Sequence, residues 1–134
     1  IGTTASTAKE VVDKLRDEGH AVGFARIRMF RPFPVEDIRR IAGKANFIGV
    51  IDRSMTFGYE GPLFTEIKGA LYDNRNRPMI KNYLVGIGGR DVTMKIIEGL
   101  YHDAYKQMAR DEVDREVEWI DLKGEQRIHE RRRY

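Results

Sequence analysis

Cysteine is absent from the 134 residues. That removes disulfides, thiolate metal sites and cysteine nucleophiles from this chain, and it is compatible with a reducing interior. Histidine is scarce. His20, His102 and His129 fall at a strand entry, on a helix and in the tail, so none stands at a strand exit to activate a nucleophile. Their spacing is not that of metal ligands. No apolar run approaches the ~20 residues that cross a bilayer, and no secretory signal is recognisable. Neither sign of charge is in excess: 24 Lys and Arg against 21 Asp and Glu leave a formal +3. That balance is too weak to argue for nucleic acid without a clustered patch. Arg131-Arg132-Arg133 is the one basic run, and it reads as a solvated terminus with no aromatic platform beside it. The composition fits a globular chain whose length suits one core, and the expected setting is cytoplasmic, with no membrane and no nucleic-acid partner.

What is present is organised around residues 47–67. Phe47-Ile48-Gly49-Val50-Ile51 is apolar at nearly every position, the pattern of a strand covered on both faces. It stops at Asp52-Arg53-Ser54. A glycine-marked loop with Gly58 and Gly61 leads to Pro62 at a first helical position, where its missing N–H costs nothing. Leu63, Phe64, Ile67, Ala70 and Leu71 then recur at helical spacing. Upstream, Thr7-Ala8-Lys9-Glu10 has the form of a capping box, followed by a helical face of Ala8, Val11, Val12 and Leu15 with Gly19 as its stop. Residues 21–29 alternate loosely and are expected to form a strand. Phe30-Arg31-Pro32-Phe33-Pro34 is expected as a rigid turn, and Val35, Ile38, Ile41 and Ala42 mark a helix. Met79 to Val85 is the next expected strand. Ile96, Leu100 and Ala104, with Ile97, Tyr101 and Met108, stripe a long helix. Residues 110–118 are charge-dense, and 117–122 form either a last short strand or a docked tail. The expected division is a domain over 1–109 and a charged extension over 110–134.

Strands alternating with helices predict an α/β fold with a mainly parallel sheet covered on both faces. Right-handed crossovers are expected to bring residues 2–10, 52–61 and 86–93 to one edge of that sheet. The ends of strands in such sheets carry function. Gly86-x-Gly88-Gly89-Arg90-Asp91 precedes a helix but lacks the third glycine of a dinucleotide fingerprint, and it lacks the Lys-Ser/Thr of a P-loop. Asp91 is expected to cap the helix and repel phosphate. Arg90, held by a glycine turn, suits a carboxylate, a phosphate or a neighbouring subunit, or else a structural pair with Asp52 or Asp91. Tyr101 and Tyr105, one turn apart, read as packing. The first residue is Ile1, and a helix preceded by only a strand stub leads to the expectation that a first strand lies upstream. A free-standing module for an anionic ligand or acidic partner remains open on these residues alone.

Three phrases, in order, carry a resemblance. They are Ile27-Arg28-Met29-Phe30-Arg31-Pro32-Phe33-Pro34, then Val50-Ile51-Asp52-Arg53-Ser54 with Phe57-Gly58-x-Glu60-Gly61-Pro62-Leu63-Phe64, then Gly86-Ile87-Gly88-Gly89-Arg90-Asp91-Val92-Thr93. Over about Ile1 to Met108 the chain resembles the C-terminal part of the alpha subunit of 2-oxoacid:ferredoxin oxidoreductases, most closely the pyruvate enzyme. The resemblance implies a three-layer α/β/α domain similar to the C-terminal domain of transketolase-type enzymes, with its first strand truncated. It implies a parent complex that oxidises pyruvate with coenzyme A to acetyl-CoA and carbon dioxide, reducing ferredoxin, with thiamine diphosphate, magnesium and iron–sulfur clusters. The Gly-Asp-Gly…Asn diphosphate motif and cluster cysteines are missing here, so no catalytic residue and no cofactor is assigned to this chain. Its implied role is packing against other domains and subunits. The candidates for an interface or ligand site are Asp52, Arg53, Ser54, Gly58, Glu60 and Gly61, with Gly88, Gly89, Arg90, Asp91 and Thr93.

Overall fold

The computed structural model describes residues 4–56 and 59–120. Helix α1 (Thr4–Asp17) comes first, then α2 (Val35–Ala42), β1 (Phe47–Asp52), α3 (Pro62–Leu71), β2 (Met79–Leu84), α4 (Met94–Arg110) and β3 (Val117–Trp119). The three strands form one parallel sheet in the order β1-β2-β3, with Phe47 opposite Met79 and Asn82 opposite Val117. Strand side chains alternate between faces, and the core divides accordingly. Ile48, Val50 and Ile80 face a cluster built by α2 and α3. Phe47, Ile51 and Tyr83 face a second cluster built by α1 and α4. The result is three layers, α/β/α. The doubly apolar pattern of β1 is explained by this arrangement, although its coverage is partial and Gly49 is exposed.

The helices start and stop for identifiable reasons. At the end of α1 the Gly19 N–H donates to the Arg16 carbonyl and the His20 N–H to the Leu15 carbonyl, with Gly19 at φ +91°. This is the Schellman arrangement, which calls for glycine. The start of α1 differs from expectation. The helix already runs at Thr4, so Thr7 and Glu10 lie inside it and form no capping box. On α4 the cap is Thr93, whose Oγ1 accepts from the Ile96 N–H at 3.3 Å. Asp91 is not the cap; it stands two residues too early to reach the first-turn amides.

Residues 21–29 are not a strand. Alternation gives a segment a preferred face, but a strand exists only with a hydrogen-bonded neighbour, and among the described residues β1 is paired on its β2 side alone. Ile27 is buried in the α2–α3 cluster. Nearby, side chains take the carbonyls: Arg16 donates to Val22 O at 2.8 Å and Tyr101 to Gly23 O at 2.8 Å. The following turn contains a cis Arg31–Pro32 bond.

The connections also depart from expectation. Each steps one strand in the same direction along the sheet, yet α3 covers one face and α4 the other. The two crossovers therefore have opposite hands, and one of them is the uncommon left-handed form. A cluster of charge sits at that second connection. Lys81, on β2, is fully buried, and its Nζ meets Asp103 of α4 at 2.9 Å, Asp114 of the connection at 2.8 Å and Glu118 of β3 at 2.7 Å.

Candidate functional site

The carboxyl ends of β1 and β2 and the amino end of α1 meet at one rim. A cavity of about 230 Å3 opens there, lined by Thr4 and Thr7 of α1, Arg53 after β1, and Asp91 and Val92 before α4. The three segments expected along one sheet edge are thus side by side, each contributing to one wall.

Three of the candidate residues, Asp52, Glu60 and Gly61, are buried behind this rim. Asp52 is buried and serves α3. The N-cap of that helix is Gly61, which has no side chain to offer, and Pro62 has no N–H. The Asp52 carboxylate fills the gap from the neighbouring strand, accepting from Leu63 N at 3.1 Å and Phe64 N at 3.2 Å. Asn82 of β2 completes the arrangement. Its Nδ2 donates to Asp52 Oδ2 at 3.0 Å and to the Val50 carbonyl at 3.1 Å, and its Oδ1 accepts from Gly61 N at 2.8 Å. Burial pushes the Asp52 carboxyl above the usual aspartate range, against the pull of those three donors. Gly61 is required by contact: a Cβ there would fall inside the Asp52 carboxylate. Glu60 is also buried, accepting from Thr65 Oγ1 at 2.8 Å and Lys68 Nζ at 3.2 Å. Thr93 is spent on its helix.

Arg53, Ser54, Gly88, Gly89 and Asp91 are exposed, and Gly58 lies outside the described residues. Arg53 and Asp91 line the cavity. Arg53 Nη2 donates to the Arg90 carbonyl at 3.3 Å. Gly86, at φ +64°, passes so close that a Cβ would meet Arg53 Nε at 2.9 Å and Arg90 O at 3.0 Å. The first glycine of the motif therefore shapes the seat of Arg53. Gly88 and Gly89, at φ +73° and +79°, make the turn itself.

Sequence reasoning missed Asn82 and Lys81, the two polar residues that organise the interior. Their signal was present: a Lys-Asn pair in the middle of an otherwise apolar strand must find partners, because buried charge and amide groups are costly alone. Thr4 and Thr7 fall within residues 2–10, the segment expected at this edge, but Thr7 drew notice only as a capping residue.

The fold and the rim together define a three-layer α/β/α domain with a parallel sheet, its strand-end loops gathered at one edge and the buried Asp52 and Glu60 bonded to α3 behind them. Residues 1–97 match the family described as pyruvate:ferredoxin oxidoreductase core domain II, and the chain belongs to that family. The chain is 50% identical over 123 residues to the ketoisovalerate oxidoreductase subunit VorA of Pyrococcus furiosus, covering 92% of this chain and 31% of the relative. Against the pyruvate synthase subunit PorA of the same organism it is 38% identical over 125 residues, 93% of this chain and 32% of the relative. Against PorA of Thermotoga maritima it is 44% identical over 104 residues, 78% and 26%. The chain spans about a third of the length of these curated relatives.

Proposed function

We propose that this chain is a non-catalytic, structural domain of the alpha subunit of a 2-oxoacid:ferredoxin oxidoreductase. The parent complex decarboxylates pyruvate oxidatively with coenzyme A and reduces ferredoxin in the cytoplasm. Thiamine diphosphate, magnesium and iron–sulfur clusters supply that chemistry from other parts of the complex. The residues here do not fit those groups. The chain has no cysteine, and among the described residues no three His, Asp or Glu side chains gather to hold a metal. The observation that carries the reading is the family match over residues 1–97, joined by a rim whose buried acids are committed to helix α3. The domain's work is to present that rim, with Arg53, Arg90 and Asp91, to neighbouring protein.

The higher identity to VorA than to PorA favours a second reading in which the 2-oxoacid is branched, such as ketoisovalerate. Purifying the full-length subunit with its partners and measuring ferredoxin reduction with pyruvate and with ketoisovalerate separates the two. The expected result is 2-oxoacid-dependent reduction by the complex and none by the 134-residue chain. Turnover by the chain alone would overturn the non-catalytic assignment, and a complex inert to every 2-oxoacid would overturn the parent activity. In the same complex Arg90→Ala is expected to weaken subunit association.

A further inference from the structure

We propose that the rim cavity between Thr4, Thr7 and Arg53 binds an oxyanion, a phosphate or carboxylate group. This goes beyond the assembly role and does not depend on it.

Three observations converge. Thr4 lines the cavity and is only 8% exposed, yet its buried Oγ1 has no hydrogen-bond partner among the described residues. An unpaired buried hydroxyl costs about 1–3 kcal/mol, and such groups in folded proteins are nearly always satisfied. An oxyanion oxygen accepting from that hydroxyl removes the deficit. Across the cavity, Arg53 is held by the Arg90 carbonyl and by the close pass of Gly86. One of its donors is committed there, and the rest of its planar fork suits a phosphate or carboxylate. Finally, Thr4 and Thr7 belong to the first turn of a 14-residue helix, where the macrodipole is positive and favours negative charge.

The volume, about 230 Å3, is below the roughly 300 Å3 at which sites for drug-sized ligands begin. It has room for one oxyanion group. Asp91 faces the same space and opposes a fully ionised ligand. Its carboxylate instead accepts a hydrogen bond from a protonated phosphate oxygen, or from a hydroxyl beside a carboxylate. The oxyanion has two possible sources, a free small molecule or an acidic side chain of a neighbouring subunit.

The test uses the full-length subunit, alone and in its complex, titrated with inorganic phosphate and with acetate at ionic strength held constant by chloride. The thermal midpoint of the isolated subunit is expected to rise saturably. Arg53→Gln and Thr4→Val should weaken half-saturation by about tenfold, the loss of one charge-assisted hydrogen bond, while Thr4→Ser retains it. Asp91→Asn, at an exposed position, should tighten phosphate binding. A free ligand is indicated if the complex responds like the isolated subunit. A partner's carboxylate is indicated if the complex does not respond and Arg53→Gln weakens association by about tenfold. The proposal is overturned if neither form responds beyond chloride and Arg53→Gln leaves association unchanged. It is also overturned if Arg53→Gln and Asp91→Asn both leave the phosphate response as it was.

Discussion

Gly61 and Lys81 show how single residues decide this structure. At Gly61 the determinant is space, since the Asp52 carboxylate occupies the volume a Cβ would need. Gly61→Ala must displace the group that caps α3, and the expected loss is at least about 2 kcal/mol in urea unfolding, from cap and overpacking together. At Lys81 the determinant is charge. Burial alone would lower its pKa, but three carboxylates raise it well above the ordinary lysine range. Asp103 and Asp114 respond in the opposite sense. Burial of Asp103 is outweighed by bonds from Tyr83, Lys81 and Gln107, and the Lys81 bond pulls Asp114 down, so both carboxyls lie below the usual range. Carboxylates with depressed values contribute stability that is present above about pH 4 and lost as pH falls through their folded values. Lys81→Met should therefore cost about 3 kcal/mol near neutrality, the low end for a buried pair because its partners stay partly hydrated. That gap should narrow as pH falls from 7 to 3, when the remaining carboxylates protonate and cease to repel. A gap that stays constant with pH would show that the network is electrostatically idle.

At the scale of elements, the cap of α4 gives a direct check: Thr93→Ala should lower stability by about 1 kcal/mol and Thr93→Ser by little. The same scale shows what was legible in advance. Helices α2, α3 and α4 and strands β1 and β2 could be read because their apolar spacing and Pro62 are local signals. The rim could be read because parallel strands end together. What could not be read depended on partners distant in sequence. Residues 21–29 have a strand's alternation but, among the described residues, no neighbour to bond. Thr7 and Glu10 have the spacing of a capping box, yet the helix begins a turn earlier. Asp52, taken as a rim residue, is drawn inward by amides of residues 63 and 64 and by Asn82. The opposite hands of the two crossovers follow from α3 and α4 choosing different faces, a choice no local pattern carries. In hydrogen exchange, β2, bonded on both edges, should be the slowest segment. Residues 24–30, without ladder bonds, should exchange orders of magnitude faster.

At the scale of the whole molecule, the sheet is unequal from edge to edge. Among the described residues β2 is central and buried, while β1 is paired only on its inner side. Exposed strand edges invite pairing with other chains, which accords with the proposed place of this domain in a larger assembly. The far side is fastened differently, by one ammonium reaching helix, connection and strand in turn. Such a fastening has a single point of failure. The last turns of α4, residues 111–116 and β3 should come away together rather than fray piecemeal, so that only strong acid, reaching below the ordinary aspartate range where Asp103 and Asp114 titrate, releases this whole corner as a hinged flap.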